Sequence, residues 1–241
     1  MATFLWTRTH NFGPIPRFAH AMAYDAARKQ AVLIGGNYSA GGPDPGTWVW
    51  DGEDWTQVSN MGPALRWSFA MAYDTKRQQT VLFGGQPLDN ASGADTWVWD
   101  GNIWTQVADS GPGGRRYFAM TFDSRRGTVV LAGGVGPSGR FSDTWLWDGR
   151  AWTQADDGLT GGRSMHCMTY DSARDRVFCS GAKALQAYFR QFRKTLSNGT
   201  VQLGSRSATS VQRRHVGRLR ATNVDLRNRP HSTSSMAFGC D

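Results

Sequence analysis

The chain has 241 residues, of which 39% are hydrophobic, enough to build a packed core. Its 29 Gly and 11 Trp argue against a coiled coil or a helix bundle, and no apolar run reaches the roughly 18 residues that a membrane span requires. The net charge of +8 is uneven, because residues 1–182 hold 16 basic and 17 acidic side chains whereas residues 183–241 hold 11 and 2. The sequence therefore joins a nearly neutral part to a basic tail.

A repeat with a period of 49 or 48 residues dominates the neutral part. Its first landmark is an aspartate after an aromatic residue: Asp25, Asp74, Asp123 and Asp171. Eight residues before each aspartate stands an arginine: Arg17, Arg66, Arg115 and Arg163. Ten residues after it, in three units, begins a glycine pair: Gly35 and Gly36, Gly84 and Gly85, Gly133 and Gly134. The motif Thr-Trp-x-Trp-Asp-Gly-x-x-Trp then places these tryptophans: Trp48 and Trp55, Trp97 and Trp104, Trp145 and Trp152.

Each unit is predicted to form four short antiparallel strands, A to D. In the first unit, strand A alternates through residues 18–24, strand B is the apolar run 31–34, strand C covers 47–50 and strand D begins at Trp55. An Asp-x-x-Arg turn joins A to B and an Asp-Gly turn joins C to D, since both sequences favour tight turns. The predicted pieces are an orphan strand D at 4–9, units 17–58, 66–107 and 115–155, and a partial unit 163–182.

The motifs of these units resemble the kelch repeat, which is also seen in the propeller domain of galactose oxidase. Arg17-x-x-His20 and Arg163-x-x-His166 match the kelch arginine and histidine, whereas the middle units carry Phe69 and Phe118 in place of the histidine. Over residues 4–182, the resemblance implies an all-β fold, a kelch-like β-propeller fragment of about 3.5 four-stranded blades.

The loop that joins strands B and C gives a second point of likeness to kelch repeats. Asp95 and Asp143 match the aspartate that ends this loop in the family, and Gly46 departs from it. Because propellers close with about four to eight blades, three complete units and a partial fourth imply a truncated ring. Its open blade edges are expected to favour self-association.

The basic tail, residues 183–241, shares no register with the repeats. Apolar residues at helical spacing predict an amphipathic helix over 183–197, and the remainder is predicted to be disordered. Three explanations stay open: a reading-frame shift or chimeric gene, a solvated tail, and a basic arm that binds nucleic acid or an anionic membrane non-specifically. Alternatively, residues 183–200 stand in for strand C of the partial unit and the ring closes.

Most of the repeated residues are expected to be structural. The Trp-x-Trp pairs favour packing between neighbouring blades over a carbohydrate-stacking platform, because they recur at one position in every unit. His20 and His166 are expected to pack internally, and Cys167 and Cys179 to be two buried thiols, with contact across a hairpin as the alternative. The strand A methionines are expected in the core: Met22, Met71, Met120 and Met168.

The B–C loops are the variable element, at residues 37–46, 86–95 and 135–143. Loops on a rigid scaffold often form a binding surface, so we expect a non-enzymatic module that recognises a protein or a glycan through this side, unless the loops are only solvated connections. The charged candidate binding residues are Asp44, Asp89, Asp95, Arg140 and Asp143.

The sequence gives catalysis little support. It contains neither Gly-x-Ser-x-Gly nor His-Glu-x-x-His, and we expect no cofactor and no metal site. The alternatives are a fragment of a galactose-oxidase-like or other propeller enzyme that lacks its catalytic residues, and a tail that binds nucleic acid. No signal peptide or membrane span is predicted, and the compartment stays open.

Overall fold

The structure, a computed structural model, describes residues 12–37, 46–88, 92–156 and 162–180, together with the backbone of 187–188. Every helix or strand in these ranges is a β-strand, so the all-β prediction is confirmed. Within the same ranges there is no helix long and apolar enough to cross a membrane. The predicted orphan strand at 4–9 and nearly all of the basic tail lie outside the described residues.

Each repeat folds into an antiparallel sheet whose strands follow one another in chain order. The first sheet contains β1 (Ala21–Asp25), β2 (Gln30–Ile34), β3 (Thr47–Trp50) and β4 (Trp55–Ser59). The second repeat contains β5 (Arg66–Trp67), β6 (Ala70–Asp74), β7 (Gln79–Phe83), β8 (Gln86–Pro87), β9 (Thr96–Trp99) and β10 (Trp104–Ala108). The third contains β11 (Ala119–Asp123), β12 (Thr128–Ala132), β13 (Val135–Gly136), β14 (Gly139–Arg140), β15 (Thr144–Trp147) and β16 (Trp152–Asp156). The fourth contains β17 (Cys167–Asp171), β18 (Arg176–Ser180) and β19 (Ala187–Tyr188).

The strand pairs β5–β8 and β13–β14 lie outside the four-stranded sheets and were not predicted. Strand A also begins later than predicted, at Ala21 rather than Phe18. Ala19 has a φ of 54°, and this left-handed backbone interrupts the extended chain, so Phe18 forms only an isolated bridge with Asn37. The same left-handed conformation recurs at Ser68, Tyr117 and Met165.

The predicted helix over 183–197 is contradicted where the structure describes that segment. Ala187–Tyr188 forms β19, in which Tyr188 pairs with Phe178 and Ala187 with Cys179. The edge of β18 offers backbone hydrogen-bonding groups to a following strand, and this pairing replaces a local helical turn. Residues 187–188 therefore occupy the strand C position of the fourth sheet.

Both predicted turns form as expected. In the A–B turn of the first sheet, the Asp25 carboxylate accepts backbone N–H bonds from Ala27 and Arg28 at 3.1 and 3.0 Å and pairs with the Arg28 guanidinium at 2.9 Å. In the C–D turn, Asp51 Oδ1 accepts the N–H groups of Glu53 and Asp54, both at 2.8 Å. These local bonds satisfy the backbone where the sheet ladder stops.

Neighbouring sheets pack face to face through apolar seams. The first seam joins Ala21, Val32, Ile34 and Val49 of the first sheet to Phe69, Met71, Leu82, Trp99 and Trp104 of the second repeat. The second seam joins Ala72, Val81, Phe83 and Val98 to Phe118, Met120, Val129, Leu131, Trp147 and Trp152. In both seams alanine and valine of one sheet meet tryptophan, methionine and phenylalanine of the next, and in the second seam Phe83 joins the first group.

Polar contacts repeat along the same seams. Trp104 Nε1 donates to Thr47 Oγ1 of the preceding sheet, and Trp152 Nε1 donates to Thr96 Oγ1, each at 2.8 Å. The first glycine of each pair lies under an aromatic ring of the next repeat: a Cβ on Gly35 would lie 2.6 Å from the Phe69 ring and 2.7 Å from the Arg66 carbonyl oxygen. Only glycine fits this approach, which explains the first glycine of the pair.

Burial differs at the ends of the described sheets. Met71 and Met120 are buried as predicted, Met168 is half-buried, and Met22 is 47% exposed, so the prediction that all strand A methionines are core is wrong for the first sheet. Cys179 is buried but Cys167 is exposed, so the prediction of two buried thiols is wrong for Cys167, and the two do not oppose each other in the hairpin, because Cys167 pairs with Ser180. The outer faces of the first and fourth sheets have no neighbouring sheet among the described residues.

Candidate functional site

A buried arginine anchors the B–C loop of the second repeat. Arg66, only 4% exposed, donates from Nε to the Ala64 carbonyl at 2.9 Å and from Nη1 to the Gly84 carbonyl at 3.0 Å. Its two terminal nitrogens also donate to the two oxygens of Asp95, both at 2.7 Å. This bidentate pair ties the end of the loop to the start of strand A.

The third repeat is built in the same way. Arg115 is fully buried and donates to the carbonyls of Gly113 and Gly133 at 2.8 and 2.9 Å. It donates to both oxygens of Asp143 at 2.6 and 2.9 Å. The Phe141 ring covers the guanidinium, with 3.8 Å between its Cζ atom and the ring centroid.

Each of these aspartates also accepts a tryptophan N–H, from Trp97 at 2.6 Å for Asp95 and from Trp145 at 2.7 Å for Asp143. Burial alone would raise the pKa of Asp95, but the hydrogen bonds and the charge of Arg66 outweigh it, and the pKa lies below its ordinary value. The pKa of Asp143 is lowered in the same way by Arg115 and Trp145 against the effect of burial. Both carboxylates therefore stay ionised and hold the scaffold of the loops.

The first and fourth repeats depart from this arrangement. In the first, Arg17 donates to the carbonyls of Ile15 and Gly35 at 3.1 and 3.0 Å, while Gly46 supplies no carboxylate at the position of Asp95. In the fourth, buried Arg163 donates from Nη1 to Cys179 Sγ at 3.5 Å. The structure thus shows the bidentate clamp, with an aspartate at the end of the B–C loop, in the two inner repeats.

The other predicted binding residues are less informative. Arg140 lies exposed in the small hairpin formed by β13 and β14. Asp44 and Asp89 lie outside the described residues. Of the five charged candidates, the structure therefore places Asp95 and Asp143 in structural ion pairs and leaves Arg140 presented to solvent.

An open groove of about 500 Å³ lies beside the clamp of the second repeat. One wall is the segment that enters the repeat, and the other is the beginning of the B–C loop. The lining residues are Asn60, Gly62, Pro63, Ala64, Leu65, Pro87 and Leu88. Leu88 is 57% exposed, so the groove presents an apolar side chain to solvent.

The groove was not predicted, although part of its signal is in the sequence. A proline follows glycine before Arg66, and Pro87 and Leu88 are apolar residues in a loop. The binding residues predicted from the sequence were charged residues of the loops instead. The pairing of β5 with β8, in which Arg66 opposes Pro87, is the long-range contact that brings the two walls together.

In the two inner repeats, the tryptophans of strand C are not open to a sugar. Trp99 and Trp147 are 1% and 0% exposed and lie in the seams. Trp97 and Trp145 are half-buried, and their indole nitrogens donate to the clamp aspartates. The arrangement agrees with the packing role and with a second role in holding the B–C loop.

Of the two repeat histidines, His166 packs internally as predicted and His20 is half-buried. His166 is buried against Gly133, and burial, together with the nearby charge of Arg163, lowers its pKa to about 4. Burial, assisted by the charge of Arg17, also lowers the pKa of His20. Within the described ranges, no group of three or more His, Cys, Asp or Glu side chains is placed to hold a metal ion.

Comparison with known proteins adds no assignment: no family model matches the sequence, and no curated protein is similar to it.

Proposed function

We propose that the chain is a kelch-like β-propeller module that binds an apolar, extended protein segment on the side of its B–C loops. The four repeat sheets are then blades, and their B–C loops lie together on one side. The observation that carries the proposal is the groove formed by Pro63, Leu65, Pro87 and Leu88 beside a fixed arginine–aspartate clamp.

A protein segment is favoured over a glycan by the chemistry of this groove. Its lining contains proline and leucine but no aromatic ring on which a sugar could stack, and the strand C tryptophans of the inner repeats pack in the seams or donate to the clamp aspartates. The clamp adds rigidity, since the loop that carries Leu88 is pinned at its far end by Asp95. A preorganised apolar groove binds with a smaller entropic cost than a mobile loop.

The test is selection of binders from a displayed library of random twelve-residue peptides against the full chain. Peptides enriched in apolar residues are expected, and Leu88→Asp should weaken the selected peptides by about tenfold or more, as loss of a central contact does. Ile103→Asp is the matched control, because Ile103 is 55% exposed but lies in the C–D turn away from the groove.

Peptides whose binding is unchanged by Leu88→Asp would place the binding surface elsewhere. Selection of no peptide, combined with binding to a glycan array, would overturn the protein-segment proposal in favour of sugar recognition.

A further inference from the structure

The first sheet carries a more exposed copy of the face that the inner sheets use for packing. In β6, Met71 and Tyr73 are 7% and 8% exposed because the first sheet covers them. In β1, the equivalent Met22 and Tyr24 are 47% and 60% exposed. The two strands have the same sequence, Ala-Met-Ala-Tyr-Asp, so only the covering sheet differs.

The fourth sheet carries the other face that forms a seam, namely the face with which a sheet covers the next one. We call each of these two exposed faces a half-seam. In the first seam the covering residues include Ala21 of β1 and Ile34 of β2. Their equivalents in the fourth sheet, Cys167 and Ser180, are exposed. Because both half-seams are exposed in one chain, the first and fourth sheets of that chain do not cover one another.

The left-handed residues are joined by a series of backbone hydrogen bonds that runs from each sheet to the next in one direction. Ser68 N–H donates to the Ala19 carbonyl at 2.9 Å, Tyr117 N–H to Ser68 at 3.0 Å, and Met165 N–H to Tyr117 at 2.8 Å. Among the described residues, this series of hydrogen bonds begins at Ala19 in the first repeat and ends at the carbonyl of Met165 in the fourth. A further sheet placed before the first would extend the series through the Ala19 N–H.

The A–B turn arginines give the seam a second polar contact. Arg77 pairs with Asp74 of its own turn at 2.7 Å and also donates to the Gly127 carbonyl of the next repeat at 3.0 Å and to the Asp148 carbonyl. Arg28 makes the same contacts to Gln78 and Asp100. In the fourth sheet the equivalent is Arg174, whose side chain is 70% exposed beside Asp171.

We infer that a second copy of this chain docks its fourth sheet onto the open face of the first sheet. The inference rests on the proposed propeller arrangement of the sheets. In the docked pair, Met22 and Tyr24 are covered as Met71 and Tyr73 are, the Met165 carbonyl accepts the Ala19 N–H, and Arg174 donates to the carbonyls of Lys29 and Asp51. Every one of these contacts repeats one that already exists between sheets of a single chain.

The partner that covers the first sheet is a second copy of the chain, because the complementary face lies on the fourth sheet of the same chain and does not cover the first sheet there. Such a head-to-tail contact can repeat until it closes. Two copies with four sheets each bring together eight sheets, at the upper end of the roughly four to eight blades that propellers use. A ring of two copies therefore uses both half-seams of both chains.

The experiment is sedimentation velocity of the full chain with two complementary variants. Tyr24→Lys places a charge on the first-sheet face, and Arg174→Glu reverses the charge on the fourth-sheet face. Wild type should sediment as a dimer, and each variant alone as a monomer because both contacts are damaged. An equimolar mixture should recover dimers, since one undamaged contact remains between the two different variants.

The matched control is Ile103→Lys, an exposed substitution away from both faces, which should sediment like wild type. A wild-type chain that stays monomeric at every concentration would overturn the inference and indicate a segment of the same chain as the occupant. Variants that stay monomeric when mixed would also overturn it. Peptide binding at the Leu88 groove is a separate readout, so failure of the assembly and failure of the binding function are distinguishable.

Discussion

The same five residues, Ala-Met-Ala-Tyr-Asp, form β1 in the first sheet and β6 in the second, and their burial differs. Met71 is buried against the first sheet, whereas Met22 is half exposed. The Tyr73 hydroxyl accepts the N–H of Ala27 from the neighbouring sheet at 3.4 Å, whereas Tyr24 is 60% exposed. Sequence therefore determines the strand and its turn, and the neighbouring sheet determines what that strand contributes to stability.

The largest effect is expected at the clamp of the third repeat, whose aspartate is replaced by Gly46 in the first repeat. Asp143→Ala leaves the fully buried Arg115 without its carboxylate, and the expected loss of unfolding free energy is about 3–5 kcal/mol. Denaturant unfolding measures the loss. Arg140→Ala, an exposed change in the same loop, should stay within about 0.5 kcal/mol. Equal effects of the two substitutions would show that the clamp does not anchor the fold.

The two methionines of the repeated pentapeptide give the next largest difference. Met71→Ala opens space in the first seam and should cost about 2–5 kcal/mol. Met22→Ala, measured on protein diluted until it is monomeric, should cost no more than about 0.5 kcal/mol. Chemical denaturation of both variants checks the pair, and similar losses would mean that the first sheet is covered within its own chain.

The histidine of the fourth repeat makes stability depend on pH in a way that the inner repeats do not. The folded-state pKa of His166 is lowered to about 4, so the unfolded chain binds the proton more readily. Stability should fall as the pH drops from about 6.5 to about 4, by up to about 3 kcal/mol. His166→Phe, which places the residue of the inner repeats there, should reduce this dependence in urea unfolding at a series of pH values, leaving the part that comes from the lowered pKa of His20.

The carboxylates do not obscure that test. The pKa values of Asp95 and Asp143 are lowered, so the stability that they contribute is lost only below about pH 4, as the pH falls toward their folded-state pKa values. A loss of stability between about pH 6.5 and pH 4 that is as large in His166→Phe as in the wild-type chain would assign the titration to another group.

A smaller effect is expected where a single hydrogen bond crosses the first seam. Thr47→Val removes the acceptor of the buried Trp104 N–H and should cost about 1–3 kcal/mol. Thr80→Val is the control, because the Thr80 hydroxyl is fully buried without a hydrogen-bond partner, and its replacement should be neutral or stabilising. Thermal unfolding distinguishes them, and equal destabilisation would contradict the assigned role of the bond.

The sequence was sufficient for features that depend on local chemistry. The period placed the strands, and the Asp25 and Asp51 turns formed with the side-chain bonds that their residue types favour. Features that depend on distant partners were not predictable. The left-handed Ala19, the pairing of Arg66 with Pro87 and the groove beside Leu88 require the neighbouring sheet or loop to be in place.

In the candidate site, too, the contacts that depend on distant residues could not be predicted from the sequence. Asp95 was chosen as a binding residue because it is a charged residue in a variable loop, yet its partner Arg66 stands 29 residues earlier and is buried. The repeat does contain both residues, and the replacement of the aspartate by Gly46 marks the first unit as different. To pair Arg66 with Asp95 from the sequence, one would have had to know that the arginine before strand A points toward the end of the B–C loop.

In this account the first sheet carries the same packing face as the second, and a second copy of the chain covers it. The most direct test is the oxidation of Met22 and Met71 by hydrogen peroxide, followed by peptide mapping at increasing protein concentration. Met61, which is 81% exposed, serves as the freely reacting reference. Met71 should be protected at every concentration, and Met22 should react quickly in dilute protein and become protected as copies dock. Oxidation of Met22 at the rate of Met61 at all concentrations, or at the rate of Met71 even in dilute protein, would contradict the account.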